Sequence, residues 1–162
     1  MKTLYLLRHA KAEKKTPALD DFDRALTDKG IDAANKIREQ LEKRNIQPDK
    51  IISSPAKRAL QTAKIIFESN AEPKKIITHA DMYSSSYANL IHIIKNTDEN
   101  IQSLLLVGHN PSFNDLLHYV CQTTIYNIPK AGMVRIKLSE DRWSKITSRC
   151  GVCDLFINPK EI

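Results

Sequence analysis

Two apolar runs in this chain each end in a histidine, and this arrangement constrains the fold more than any other feature. Residues 4–7 are uninterrupted apolar sequence, typical of a buried parallel strand, and Arg8 and His9 follow directly. Residues 104–107 form a second such run, and His109 comes two positions later. In open α/β sheets the carboxyl ends of the strands form the edge that binds ligands. We therefore expect Arg8 and both histidines to meet at one edge of a sheet.

Apolar patterning alternates between strand-like runs and helical stretches along the chain, which predicts an α/β domain with helices packed on a mostly parallel sheet. The predicted strands are 3–7, 50–53, 75–78, 103–107, 132–138 and 143–147, and the predicted helices are 27–44, 55–69, 87–96 and 111–120. Residues 139–142 are typical of a hairpin turn, so the last two strands are predicted to be antiparallel. The length of 162 residues and the lack of a linker-like stretch predict one domain, 1–162.

Composition excludes several classes of function. The net charge is +6, but the lysines are scattered with few aromatic residues among them, so nucleic-acid binding is not supported. No segment approaches the roughly 20 apolar residues of a membrane span, and a cytoplasmic location is expected. Cys121, Cys150 and Cys153 fit reduced thiols. A zinc site would need a second cysteine pair, or histidines at matching spacing, besides Cys150 and Cys153, and the sequence has neither. We therefore assign Cys150 and Cys153 no function.

A second arginine is predicted to reach the same edge. Ser54 is a candidate cap for the predicted helix 55–69, and Pro55 suits its first position. Arg58 lies in the first turn of this helix, off its apolar stripe and just after a predicted strand. It should therefore point towards Arg8 and His9.

The predicted helix that follows His109 is similar. Asn110 is its candidate cap and Pro111 its first residue. Free backbone N–H groups at such a helix start bind anions. We expect these N–H groups to face whatever binds beside His109.

These residue types together suit a phosphate better than any other ligand. Arginine supplies several donors in a fixed fork, and a phosphate dianion needs both the donors and the charge. A neutral imidazole held in such a pocket can attack phosphorus and carry the phosphoryl group. We predict His9 as that nucleophile because it lies at the end of a strand. His109, Arg8 and Arg58 would stabilise charge on the phosphoryl oxygens. A lone strand-end histidine is more often structural, so the prediction depends on the combination.

Four motifs in this order closely resemble the histidine phosphatase superfamily. They are Leu7-Arg8-His9-Ala10; Asp23-Arg24-Ala25-Leu26-Thr27 with Gly30; Ser53-Ser54-Pro55 with Arg58-Ala59 and Gln61-Thr62-Ala63; and Val107-Gly108-His109-Asn110-Pro111. The short length and the ending Phe156-Ile157-Asn158-Pro159-Lys160 are similar to the small SixA-type phosphohistidine phosphatase branch.

The resemblance implies a site and a fold. It implies that His9 is phosphorylated, that Arg8, Arg58 and His109 form the phosphate pocket, and that neither a metal nor a cofactor is needed. It also implies a three-layer, phosphoglycerate mutase-like α/β fold, with helices on both faces of a mostly parallel sheet and an antiparallel C-terminal strand pair.

Two departures from the family pattern concern the mechanism. Ala10 stands where the superfamily usually has glycine, a change that the SixA-type branch accepts. Larger relatives supply a glutamate as general acid from an inserted segment, and here only Asp81 could serve in the corresponding stretch. Asp20, Asp21 and Asp23 are alternatives, as is the absence of any acid. Asp23 is more simply explained by an ion pair with Arg24, or by a helix start.

The sequence contains no clear general acid, and this bears on the choice of substrate. An alkoxide leaving group needs a proton in the transition state, whereas the imidazole of phosphohistidine can leave already protonated. A compact chain also leaves an open pocket. We therefore predict a monomeric phosphatase that acts on phosphohistidine in a protein, such as a signalling domain. A small-molecule phosphomonoesterase and a non-catalytic phosphopeptide-binding module are the alternatives.

Overall fold

The computed structural model describes residues 1–68 and 73–162. Its strands are β1 (Thr3–Arg8), β2 (Lys50–Ser53), β3 (Ile76–Thr78), β4 (Ser103–Gly108), β5 (Met133–Leu138) and β6 (Gly151–Ile157). Its α-helices are α1 (Asp28–Lys43), α2 (Lys57–Phe67), α3 (Tyr87–Lys95) and α4 (Ser112–Val120). Single 3-10 turns lie at Asp21–Asp23, Ala80–Met82, Trp143–Lys145 and Pro159–Glu161.

The strands form one mixed sheet in the order β3-β2-β4-β1-β5-β6. Strands β1 to β4 are parallel to one another, with β4 between β1 and β2. Strand β5 runs antiparallel to β1, and β6 runs antiparallel to β5. The predicted mostly parallel sheet with an antiparallel C-terminal pair is confirmed.

Helices cover both faces of this sheet, so the predicted three-layer arrangement is confirmed. Alternate residues of β1 point to opposite faces, as the pleat of a strand requires. On one face Leu4 and Leu6 belong to an apolar cluster that includes α3 and α4 residues such as Leu90, Ile94, Phe113 and Leu117. On the other face Tyr5 and Leu7 belong to a cluster with α1 and α2 residues such as Ile37, Leu41, Ala59 and Ile66.

The predicted strand 143–147 is wrong. Trp143 is fully buried in a 3-10 turn, where its backbone N–H donates to Glu99 Oε2 and its indole Nε1–H to the Ile101 carbonyl, each at 2.8 Å. The last strand is instead β6, and the segment 139–150 replaces the predicted tight turn. The sequence of β6 does not show the apolar pattern of a buried strand, because at this edge of the sheet only Ile157 is buried.

A close approach at Gly30 fixes the loop that follows β1. The N–H of Thr27 donates to the Lys11 carbonyl at 3.0 Å, and the Thr27 hydroxyl caps α1 by accepting from the Gly30 N–H at 3.1 Å. A β-carbon at Gly30 would overlap that same Lys11 carbonyl, so only glycine allows the loop to pack this closely. The chain just beyond His9 is therefore held against the start of α1.

Candidate active site

The two predicted histidines lie side by side at the carboxyl end of the sheet. Strands β1 and β4 are parallel neighbours in which Arg8 pairs with Gly108, so both strands end at the same level. The backbone N–H of His9 donates to the Gly108 carbonyl at 3.0 Å. The ring centroids of His9 and His109 are 5.1 Å apart. His9 and His109 therefore lie close together, as the sequence predicts.

The side chain of His9 is buried and neutral. Its Nδ1 lies 2.7 Å from the Ala10 carbonyl oxygen, which can only accept, so Nδ1 carries the ring proton. Burial lowers the pKa of His9 to about 3, and the nearby His109, Arg58 and Arg8 act in the same direction. The Nε2 atom therefore keeps an unshared electron pair at neutral pH, as a nucleophile requires.

The side chain of His109 is held by two residues that follow β2, Ser54 and Arg58. Its Nε2 lies 2.8 Å from the Ser54 hydroxyl, and its Nδ1 lies 3.4 Å from Nη2 of Arg58. Burial, followed by the charge of Arg58, lowers the pKa of His109 to about 4. Both histidines are therefore uncharged at neutral pH, and the positive charge at this site comes from arginines.

Two arginines, the half-buried Arg8 and the buried Arg58, lie at the same end of the sheet as this pair of histidines. Arg8 donates from Nη1 to the Ile128 carbonyl at 3.0 Å, and Arg58 donates from Nη1 to the Asp21 carbonyl at 2.7 Å. The Nε atoms of both arginines are buried and have no hydrogen-bond partner among the described residues. Burial also lowers the pKa of Arg8, which shows that its charge is costly here. A bound anion would balance the charge of Arg8, which has no carboxylate partner among the described residues, and would offer acceptors to the free donors.

The caps predicted for the two flanking helices are wrong. Helix α2 begins at Lys57 rather than at Pro55, and Ser54 instead accepts from the Ala56 N–H at 3.2 Å while also contacting His109. Residue 69, the predicted end of this helix, lies outside the described residues.

The start of α4 also differs from the prediction. Asn110 does not cap the helix, because its Oδ1 accepts no hydrogen bond from the described residues, while its side-chain Nδ2 donates to the Ile128 carbonyl at 2.9 Å. The backbone N–H of Phe113, the second residue of α4, donates to the His109 carbonyl at 3.1 Å. The predicted anion site at this helix start therefore has one fewer free donor than expected.

One wall of the site contains Tyr83, which sequence reasoning missed, and Asp21, which it considered only as a candidate acid. The Tyr83 hydroxyl donates to Asp21 Oδ2 at 2.7 Å, and the same oxygen accepts from Nη2 of Arg58 at 3.2 Å. The Tyr83 ring packs edge-on against His109, with centroids 5.9 Å apart. The Tyr83 hydrogen bond, together with Arg58 and Arg24, lowers the pKa of Asp21 to about 2 against the opposing effect of burial. Asp21 is therefore an anion that holds Arg58 in place.

The other aspartates lie around this wall. Asp81 is exposed, in the 3-10 turn two residues before Tyr83. Asp20 and Asp23 are also exposed. The predicted ion pair of Asp23 with Arg24 is wrong, because Arg24 donates from Nε to Asp21 Oδ1 at 3.0 Å.

The structure gives no sign of a metal centre or a disulfide at these positions. In the ranges 1–68 and 73–162, no three His, Cys, Asp or Glu side chains are grouped to hold a metal ion. Cys121, Cys150 and Cys153 are free thiols, and the first two are buried.

None of the described helices is long and apolar enough to cross a bilayer.

The family follows from comparison with known proteins. The sequence profile of the histidine phosphatase superfamily (branch 1) matches residues 4–90, more than half of the chain. The chain therefore belongs to the histidine phosphatase superfamily.

Solved structures agree over nearly the whole length. A structure assigned to the phosphohistidine phosphatase SixA of Agrobacterium tumefaciens is 27% identical, with a TM-score of 0.82 and 98% of each chain covered. A protein histidine phosphatase SixA in complex with tungstate is 17% identical, with a TM-score of 0.81 and the same coverage. A phosphoserine phosphatase from Entamoeba histolytica is 19% identical, with a TM-score of 0.64 and 98% of each chain covered. The predicted phosphoglycerate mutase-like fold is confirmed.

The buried neutral histidines predict that this protein loses stability as the pH falls. A histidine in the unfolded chain takes up a proton near pH 6.5, whereas folded His9 and His109 stay neutral down to about pH 3 and about pH 4. Between pH 6 and pH 4 the unfolded state binds more protons, so acid favours unfolding by at most about 1.4 kcal/mol per pH unit for each histidine, and the contribution of His109 declines as the pH approaches 4. Urea unfolding in phosphate-free buffer measures this slope.

A His9→Gln variant supplies the control for this prediction. Removing one of the two histidines should reduce the slope between pH 6 and pH 4 by about one proton. An unchanged slope in this variant would contradict the assignment of His9 as a neutral group in the folded state.

Proposed function

We propose that this protein is a phosphatase that hydrolyses phosphohistidine in proteins through a phospho-His9 intermediate. The observation that supports it best is the tautomer of His9. Its Nε2 is unprotonated in a site that also holds His109, the half-buried Arg8 and the buried Arg58, and the Nε donors of both arginines are free in the described structure. The match to the A. tumefaciens SixA structure favours the same substrate class.

In the first step the Nε2 electron pair of His9 attacks phosphorus. The bond between phosphorus and the substrate imidazole breaks, and its electron pair stays on the departing ring. Arg8, Arg58 and His109 stabilise the negative charge on the phosphoryl oxygens, the largest contribution to this type of transfer. In the second step water attacks phosphorus, the bond to Nε2 breaks, and inorganic phosphate leaves with neutral His9 restored.

The leaving group favours a phosphoramidate over a phosphomonoester. An imidazole that carries a proton on its other nitrogen departs as a neutral molecule, so no protein acid is required. An alkoxide does require one, and we propose Asp81 for that role, since it lies on the short connection between β3 and α3. The shortness of that connection, residues 79–86, keeps the site open to a phosphoryl group carried by a protein.

We further propose that residues 1–162 act as a single-domain monomer, without a metal ion. The phosphate charge is met by Arg8 and Arg58, so the chemistry needs no metal to balance it. The three free thiols support a reducing compartment, the cytoplasm. A phosphohistidine-bearing signalling domain is the partner that this substrate class suggests.

A substrate panel tests the proposed function. The protein should turn over a phosphohistidine peptide and phosphoramidate with kcat/KM at least about tenfold above phosphoserine, with no change on adding a chelator, because only the alkoxide needs an acid. The Asp81→Asn variant should slow phosphoserine more than phosphoramidate. Preference for phosphoserine in the unmodified protein would contradict the proposal and favour a small-molecule phosphomonoesterase. Equal rates of Asp81→Asn and the unmodified protein on both substrates would remove Asp81 from the mechanism.

A further inference from the structure

One lysine beside the site lies on a loop that is bonded directly to the catalytic strand. The Ala131 N–H donates to the His9 carbonyl at 3.0 Å, and the Ile128 carbonyl accepts from Arg8 at 3.0 Å. Lys130 lies between these two anchor points and is exposed. Its backbone is therefore fixed next to the two residues that the proposed mechanism places at the phosphoryl group.

A second lysine lies on the segment that follows His9, near enough to Lys130 for their charges to interact. Lys11 is exposed and lies two residues beyond His9. Its carbonyl accepts from the Thr27 N–H at 3.0 Å, which ties this part of the loop to the start of α1. Both lysines thus extend from backbone that is held in place, rather than from a free loop.

The two lysines, unlike Arg24 and Arg58, have no carboxylate partner among the described residues. Arg24 is neutralised by Asp21, with Arg24 Nη2 3.0 Å from Asp21 Oδ1. Arg58 also contacts Asp21. Within residues 1–68 and 73–162, no carboxylate lies within ion-pair distance of Lys11 or Lys130.

These cations are close enough to repel one another. The pKa of Lys130 is lowered, first by burial and then by the charges of Arg8, Arg24, Lys11 and Arg58. Like charges held together destabilise a free protein, and an anionic ligand relieves the repulsion. A phosphoryl group balances Arg8 and Arg58, which leaves the two lysines for charges elsewhere on the substrate.

We propose that Lys11 and Lys130 form a docking surface for acidic side chains that flank the phosphohistidine of a protein substrate. This inference rests on the proposed function and names the kind of protein that the site accepts. Charge complementarity carries it, because two exposed lysines without a carboxylate partner lie on backbone segments that adjoin His9 or are hydrogen-bonded to it. Such a surface raises the rate of productive encounter and selects partners by charge.

Two synthetic peptides that differ only in flanking charge test this surface. Each contains one phosphohistidine, flanked by four glutamates in one peptide and by four glutamines in the other. We expect kcat/KM for the glutamate peptide to be about tenfold higher at low ionic strength, with the difference shrinking as salt screens the charges. In a Lys11→Glu/Lys130→Glu double variant the preference should disappear, while kcat/KM for phosphoramidate stays within about twofold of the unmodified value.

A double variant on α1, Lys36→Glu/Lys43→Glu, makes the same change in net charge at exposed positions away from the site. It should keep the preference for the glutamate peptide. The inference is overturned if the unmodified protein treats both peptides alike, if the α1 variant loses the preference equally, or if the Lys11/Lys130 variant loses phosphoramidate turnover to the same extent. Failure to hydrolyse either peptide, with phosphoserine turnover intact, would instead reject the proposed function.

Discussion

Replacing His9 by alanine is expected to lower kcat at least about 10⁴-fold on every phosphorylated substrate, because the variant lacks the atom that receives the phosphoryl group. The arginines would still bind phosphate, so KM should change far less than kcat. Steady-state turnover of phosphoramidate and of a phosphohistidine peptide measures both quantities.

Two controls separate this effect from loss of folding. His9 is only 6% exposed, so truncation to alanine leaves a small cavity. The His9→Gln variant keeps a polar side chain in that space and should be equally inactive. His92→Ala, at an exposed position on α3, should retain full activity. Substantial turnover by a folded His9→Ala protein would contradict the covalent mechanism.

Replacing Arg58 by alanine is expected to lower kcat/KM about 10³-fold, the second largest effect. Arg58 is 6% exposed and supplies a charged fork beside His109, so water screens its interaction with a charged transition state only weakly. Arg58→Lys keeps the charge but loses the fork, and should lose about 10²-fold. Added guanidinium ion should partly restore Arg58→Ala, since it can occupy the vacated space and supply the same donors.

The neighbouring cation on the same helix provides the matched control. Lys57 is exposed and adjoins Arg58 in the first turn of α2, so Lys57→Ala should leave kcat/KM unchanged. Urea unfolding of Arg58→Ala checks that the loss of the Asp21 contact has not unfolded the loop. A loss of activity in Lys57→Ala as large as in Arg58→Ala would show that net charge, rather than placement, is responsible.

The centre of the site could be predicted because strand ends carry positional information. Once 4–7 and 104–107 were interpreted as parallel strands, topology alone brought Arg8, His9 and His109 to one edge. Arg58 followed from its place in the first turn of a helix after a third strand. Each of these side chains is fixed by its position in a regular element, which periodic apolar patterns reveal.

The wall of the site that contains Asp21 and Tyr83 could not be predicted in this way. Asp21 and Tyr83 both lie at 3-10 turns, and the hydrogen bond that joins them spans 62 positions. Nothing local marks Tyr83 as its partner. The strand β6 was missed for a related reason, since an edge strand buries little apolar surface and shows a weak pattern.

The most direct test of the account is to trap the phosphoenzyme. The protein is mixed with radiolabelled phosphoramidate and the reaction is quenched rapidly without acid. Peptide mass spectrometry then identifies the residue that carries phosphate. We predict an acid-labile, alkali-stable phosphoryl group on His9 that forms before free phosphate and is absent from His9→Gln. Phosphate on another residue, or turnover with no labelled protein at any time point, would contradict the account.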